Sequence, residues 1–356
     1  MAEPAFAFTR DTPGFKVLVS DRELPAETAL DIIDVTVCDS VEGASVFTVR
    51  FNIWDASRQE LKWIDDTLLS EGAQVEVRIG FVDHFQTLII GEITAIEPEF
   101  HQNEAPTLII HGYDHLHRFR RGRKTRSFIN TTDSEIAEQV ARNLQLRAKV
   151  EDTKVIHEYL LQNNQTDIDF LLERARRIRY EVLVRDKILY FRKAANATGE
   201  VISLEYGLTL QSFYPRLNTM RQVSEVIVQG WNPKTKEPIV NQASLGDEVA
   251  KMHGAQLGAA ITKQAFFATK SFIVNTPVFS ASEAAQIAKG KFNDMIIDFI
   301  TGEGTAIGNT DIRAGRVVEL QKLGRRFSGL YYVTSSTHSV DQRGYITKFT
   351  VARNAT

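Results

Sequence analysis

The chain has 356 residues, a formal net charge of −3 from 42 Lys+Arg against 45 Asp+Glu, and one cysteine, Cys38. The length exceeds one ordinary core and asks for two or three domains. The balanced charge excludes a chain basic throughout, as a dedicated DNA binder is; one thiol excludes an internal disulfide or a cysteine metal cluster; and no run approaches the ~20 apolar residues that cross a bilayer.

The opening "MAEPAFAFTRDTPGF" has no basic n-region followed by an apolar run, so no signal peptide is read there and synthesis in a reducing cytoplasm is expected. Residues up to about 113 read as short strands. "TVRFNI" places Val49, Phe51 and Ile53 on one face, and "QVEVRIGF" does the same with Val75, Val77 and Ile79. Cys38 reads as a small residue on one such strand. A short helical piece is expected around "SRQELKWIDDTLL". "TLIIGEITAIEP" and "PTLIIHGYD" follow as two strands across the polar turn "EFHQNEA". Several short strands with turn signals between them suggest a sandwich or barrel.

After Asn130 the period changes. Thr132 with Glu135 forms a capping box ahead of Ile136, Val140 and Leu144, which predicts an amphipathic helix. A second helix starts at Thr166, with Ile168, Leu171, Ala175 and Ile178 inward and Arg174, Arg176, Arg177 and Arg179 as its wet face. A hairpin is expected around Arg185–Asp186–Lys187. Strands return from Val201, residues 241–260 read as an irregular loop, and a third helix is capped by Ser280 with Glu283. "LIIGEITAIEPEFHQNEAPTLIIHGYD" and "LYYVTSSTHSVDQRGYITKFTVARN" share a strand–polar turn–strand pattern, a faint internal echo.

The conspicuous stretch is "GYDHLHRFRRGRKTRSF", with Arg118, Arg120, Arg121, Arg123, Lys124 and Arg126. These cations could neutralise phosphates. The plainer reading is a connector whose arginines pair with carboxylates of this chain or a neighbour. His111, His115, His117 and Asp114 lie close, with His115 and His117 expected on one strand face, yet no metal-ligand spacing appears. "GEGTAIG" is not a phosphate loop and reads as a glycine-rich hairpin. Asp167 and Asp169 sit where a helix dipole favours carboxylates, so they need not be an acid/base pair. No catalytic, metal or cofactor-binding constellation is legible, and none is expected.

Three stretches carry a family resemblance: "GYDHLHRFRRGRKTRSF", "NNQTDIDFLLERARRIRYEVLVRDKILYFR" and "GEGTAIGNTDIRAGRVVELQKLGRRFSGLYYVTSSTHSVDQRGYITKF". In order and spacing they resemble the phage late control protein D family, the hub portion of VgrG-type spike proteins. The matching positions are Gly112, Tyr113, Asp114, Phe170, Leu171, Gly315, Gly329, Tyr331, Tyr332, His338, Gly344 and Tyr345. The resemblance implies an α+β, mostly β fold with two tube-like β-barrels and an intervening α/β layer. The expected domains are residues 1–125, 126–200 and 201–356, the last with a capping helix near 281–293. It also implies a non-enzymatic baseplate hub of a contractile tail or injection system. As a homotrimer the hub would join a hexameric inner tube protein to a separate trimeric spike protein and touch other baseplate components. Made in the bacterial cytoplasm, it would be incorporated into a phage tail or injection particle, with no specific nucleic acid, no cofactor and no transmembrane segment. In this reading the Arg118–Arg126 run serves packing or an interface. Two other classes stand beside it: a tail-associated cell-wall hydrolase, which needs a cleft with paired carboxylates, and a nucleic-acid-binding module built on the Arg118–Arg126 run.

Overall fold

The computed structural model describes residues 12–81, 84–194 and 201–356. Expectations for residues 1–11, which include the missing signal peptide, and for the end of the middle layer at 195–200 lie outside them.

The first part holds β1 (Pro13–Val19), β2 (Arg22–Glu23), α1 (Ala26–Leu30), β3 (Ile32–Ser40), β4 (Val46–Asn52), β5 (Trp54–Asp55), β6 (Glu60–Leu61), β7 (Gln74–Phe81), β8 (His84–Glu99) and β9 (Thr107–Asp114). Alternation buries Val35, Val37, Phe47, Val49, Phe51, Val75, Val77 and Ile79 in one core, as a half-buried sheet requires. The helix expected around "SRQELKWIDDTLL" is instead the β5–β6 hairpin and one 3-10 turn, Thr67–Leu69. The Asp55 carboxylate accepts from the Ser57 and Arg58 amides, and Gln59 and Trp63 take φ of 55° and 64°, so no helical run can form.

The middle part holds β10 (Lys124–Thr131), α2 (Asp133–Asn143), β11 (Arg147–Val150), β12 (His157–Gln165), α3 (Asp167–Arg177), β13 (Tyr180–Arg185) and β14 (Ile188–Lys193). Thr132 and Glu135 close the expected capping box, and Thr166 caps α3. Asp186 and Lys187, both at positive φ, make the two-residue turn between β13 and β14, which suits the twist of a hairpin. Of the four arginines expected on the wet face of α3 only Arg176 is exposed: Arg174 is buried, drawn inward by the Asp133 carboxylate, Arg177 is mostly covered and paired with Glu283, and Arg179 lies past the helix end with a largely covered side chain.

The last part holds β15 (Val201–Glu205), β16 (Leu210–Leu217), β17 (Glu225–Asn232), β18 (Glu237–Ser244), α4 (Gly258–Phe266), β19 (Lys270–Ile273), α5 (Ala281–Ile297), β20 (Ile300–Ile307), β21 (Val317–Gln321), α6 (Gly324–Phe327), β22 (Gly329–Asp341) and β23 (Gly344–Arg353). Strands β18, β17 and β19 form a separate sheet covered by α5. The stretch 241–260 read as a loop starts in β18 and ends in α4. "GEGTAIG" is not a hairpin. Gly302 and Gly304 lie within β20, where a Cβ would sit 2.6 Å from the Phe213 ring and 2.4 Å from the Phe349 ring. These glycines make room for aromatic rings; they do not turn the chain.

One sheet of 13 strands joins the first and last parts in the order β16-β20-β23-β22-β3-β4-β9-β8-β7-β1-β2, with β15 and β21 attached alongside β22. It contains the same unit twice. In space the first unit runs β1, β7, β8, β9, β4, β3 and the second runs β15, β21, β22, β23, β20, β16, and the members occur in the same chain order. The pairings match in sense except that β1–β7 is antiparallel and β15–β21 parallel. The irregularities repeat too. β8 bulges between Ile93 and Ala95, and β22 between Val333 and Ser335. Thr94 Oγ1 donates to the His111 carbonyl at 3.4 Å, and Thr334 Oγ1 to the Thr350 carbonyl at 3.2 Å. β3 slips between Ile32 and Asp34, and β16 between Leu210 and Ser212. Gly72 and Gly315, at φ of 80° and 75°, donate at 2.8 Å to the Ile93 and Val333 carbonyls respectively. Only glycine holds such a turn without strain.

Candidate functional site

The two units meet where β3 pairs antiparallel with β22, Val35 opposite Val340 through to Ser40 opposite Ser335. Val340 and Tyr345, from the tip of the β22–β23 hairpin, belong to the first unit's core, and the Tyr345 ring lies 6.0 Å from that of Phe81. Beneath this seam lies a buried polar junction. Arg313 Nε donates to Asp39 at 2.6 Å and its Nη2 to the Leu88 carbonyl at 2.8 Å. Asp39 also accepts from Ser336 Oγ and, at 3.4 Å, from the Ala314 amide. Burial alone would raise the Asp39 carboxyl, but the Arg313 charge and these hydrogen bonds hold it below the usual range.

His338 completes the junction. Its Nε2 lies 3.1 Å from the Ile312 carbonyl, which only accepts, so Nε2 carries the proton. Nδ1 then accepts from Tyr345 Oη at 2.8 Å. Burial, aided by the Arg313 charge, lowers His338 to about 4. Ser336, His338 and Asp39 are the residue types of a hydrolytic triad, but the wiring is not that of a relay. Asp39 binds the serine instead of orienting the imidazole, Nε2 presents a proton to Ser336, and all three side chains are sealed from solvent. The arrangement locks two units together.

The middle layer joins at the same point. Arg185 donates to the Ala314 carbonyl and Arg192 to that of Gly315 at 3.1 Å. Glu181, beside Arg192, is pushed up to about 7 by burial. A second buried cluster ties the layer's own elements and α5. Arg174 Nε donates to Asp133 at 2.6 Å, His157 stands 3.2 Å from Asp133, and Arg177 donates to Glu283 at 3.0 Å.

The basic run divides. Arg118 pairs with Glu92, with His117 at 3.3 Å from the same carboxylate. Burial would raise Glu92, yet Arg118 holds it low. Lys124 and Arg126 both reach Asp167, at 2.6 and 2.8 Å. Asp167 is therefore a structural anion here. Arg123 donates to the Asn164 carbonyl. Arg120 and Arg121 are exposed with no ion pair among the described residues. His115 and His117 lie on a 3-10 helix, His115–Arg120, not on a strand, because Asp114 caps that helix by accepting from the Leu116 amide at 2.8 Å. Among the described residues no three His, Cys, Asp or Glu side chains gather as a metal site would need.

The remaining singled-out positions serve packing. A Cβ at Gly112 would fall 2.2 Å from the Phe47 ring. Asp114 also accepts from the Ser45 amide at 2.8 Å, and burial raises it to about 6. Tyr113 is partly exposed. Phe170 stacks on Phe128 at 5.6 Å beside Leu171. Gly315 abuts Arg192, Gly329 abuts the Arg353 guanidinium, and Gly344 turns the β22–β23 hairpin at φ of 129°. Tyr331 and Tyr332 are buried, Tyr331 Oη donating to the Phe327 carbonyl at 2.8 Å. Sequence reasoning missed Asp39, Arg313 and Asp133 and took Glu283 only as a helix-cap residue; their signal is a charged residue set inside an apolar run or a capped helix start.

The family model described as the Alg8 N-terminal domain matches residues 9–342. The chain belongs to the Alg8 N-terminal domain family. No curated protein matches this family member. Its fold is shared with the prophage MuSo2 43 kDa tail protein from Shewanella oneidensis, at TM-score 0.71 and 15% identity over 96% of this chain and 98% of that one. The tail protein from Neisseria meningitidis MC58 follows at TM-score 0.68 and 12% identity, covering 96% and 97%. The E. coli c3393 protein, a component of the type VI secretion system, superposes at TM-score 0.57 and 10% identity, covering 96% of this chain and 77% of that one. The mostly β fold of the family member is thus that of phage tail and secretion-system proteins.

Proposed function

We propose that the chain is a structural, non-enzymatic hub of a contractile tail or injection-system baseplate, in the manner of late control protein D and VgrG. The two six-strand units are its two tube-like barrels, in residues 1–125 and 201–356, and residues 126–200 are the layer that braces them. Three chains then present six like units to a hexameric inner tube protein and keep threefold symmetry toward a trimeric spike protein. The particle is a phage tail or an injection machine assembled from the bacterial cytoplasm.

The observation that carries this reading is the duplication, down to the matched bulges at Thr94 and Thr334 and the matched turns at Gly72 and Gly315. Likeness in fold to tail proteins along nearly the whole chain supports it. The basic run supports a packing role, since four of its six cations are already held by Glu92, Asp167 and a backbone carbonyl. Exposed Arg120 and Arg121 remain for other baseplate components. Sedimentation of the purified chain tests the reading. Chains of 40.1 kDa are expected to reach about 120 kDa. A species that stays at one chain, or closes as an even dimer, would overturn it.

A further inference from the structure

The seam inside the chain has an unfilled counterpart on its surface. In the second unit, β22 is flanked by β21 along Gly329–Tyr332 and by β3 along Ser335–Val340. In the first unit, β7 flanks β8 only as far as Glu92. Ile93 still bonds Gly72 and Ala73, and beyond it β8 is paired with β9 on one side and, among the described residues, bare on the other. Conversely β3 lies between β4 and β22, whereas among the described residues its counterpart β16 is paired with β20 alone at the end of the sheet.

We propose that β16 of one copy of this chain pairs antiparallel with residues 95–100 of the next copy, in the register already used between β3 and β22. This contact rests on the hub reading and names its subunit interface. The bulges fix the equivalence: Thr94 answers to Thr334, and the slip at Gln211 to the slip at Ile33. The pair Thr337–Cys38 then becomes Glu97–Arg216, Ser339–Thr36 becomes Glu99–Tyr214, and His338–Val37 becomes Pro98–Pro215.

The side chains fit that register. Glu97 and Arg216 are both exposed, and Arg216 has no ion-pair partner among the described residues. Within the chain the equivalent cross-strand position already carries a side-chain contact, Thr337 Oγ1 to Cys38 Sγ at 3.4 Å. Directly opposed residues of opposite charge stabilise an antiparallel pair, and like charges disrupt it. Tyr214 is 73% and Phe100 60% exposed, large apolar areas left bare at the two edges. Each edge holds one proline, Pro98 or Pro215, which hinders addition of an unrelated strand. In this register the two prolines face each other, so any break in the ladder is confined to one pair. Each copy offers one edge of each kind. The contact is therefore head-to-tail, and such contacts close into rings when the rotation permits.

Two experiments on the full chain test it. In a Cys38→Ser background, Glu97→Cys combined with Arg216→Cys is expected to oxidise into reducible multimers, whereas either cysteine alone stays unlinked. In parallel, Glu97→Arg and Arg216→Glu singly are expected to weaken self-association by about tenfold, and the double exchange to restore it. Both edges are exposed, so neither change threatens the fold. An assembly of unchanged mass that shows no cross-link and no response to charge would overturn the contact and leave the hub reading standing. A wild-type chain that never self-associates would overturn both.

Discussion

The two six-strand units share order, bulges and glycine turns, yet they are finished differently. The first unit passes from β3 to β4 through a short turn, while the second places β17, β18, α4, β19 and α5 between β16 and β20. The strand β3 is covered on both sides, over a junction holding Asp39, Arg313, Ser336 and His338; among the described residues its counterpart β16 is bare on one side. Where the partner is part of the same chain, the contact is sealed and relies on a buried ion pair. Where the partner is another molecule, the edge carries an exposed charge and a proline. A buried charge suits a permanent seam, because it is costly if the seam opens. An exposed charge suits an edge that must stay soluble until it is met.

The largest test of this contrast is Arg313→Ala. It strands the Asp39 carboxylate in the seam and should cost about 3–5 kcal/mol in chemical denaturation. Arg216→Ala, at the exposed edge, should cost less than about 0.5 kcal/mol of chain stability. Equal losses would erase the distinction. Next in size is Gly112→Ala. Its Cβ meets the Phe47 ring at 2.2 Å and the Glu92 carbonyl oxygen at 2.4 Å, and a loss of about 1–3 kcal/mol is expected from overpacking.

The seam should also be visible in the pH dependence of stability. His338 has a folded value of about 4 against an ordinary value near 6.5, so the unfolded chain binds more protons between them. Its contribution is present above about pH 6.5 and is lost as pH falls through about 4. Replacing His338 by Gln should flatten this slope in denaturation curves collected from pH 4 to 7; an unchanged slope would place the titration elsewhere. The smallest effect on stability is expected for Arg120→Glu with Arg121→Glu. Both side chains are exposed, so melting should hardly move, while docking to baseplate components should weaken. Docking that survives intact removes the basic run from the interface.

Much of the frame was legible because it is written in local chemistry. Alternating Val49, Phe51 and Ile53, the Thr132–Glu135 box, Thr166, Ser280 and the Arg185–Lys187 hairpin are each decided within a few residues, and each is present. The echo between the β8–β9 and β22–β23 hairpins was legible only as a shape, since a bulge leaves no residue signature of its own. Arg174 was misplaced because its partners Asp133 and His157 come from another helix and a strand. Gly302 and Gly304 were misread because glycine serves both turns and close approach, and only the position of the Phe213 and Phe349 rings tells which. The seam could not be read at all. Asp39 and Ser336 meet 297 positions apart, and nothing local to either announces the other.

The central claim, that duplicated units in one chain let a threefold ring present sixfold symmetry, is tested most directly by electron microscopy of the purified assembly viewed down its axis. Six similar lobes repeating with threefold symmetry are expected. Three lobes, one for each chain, or an open filament would contradict it.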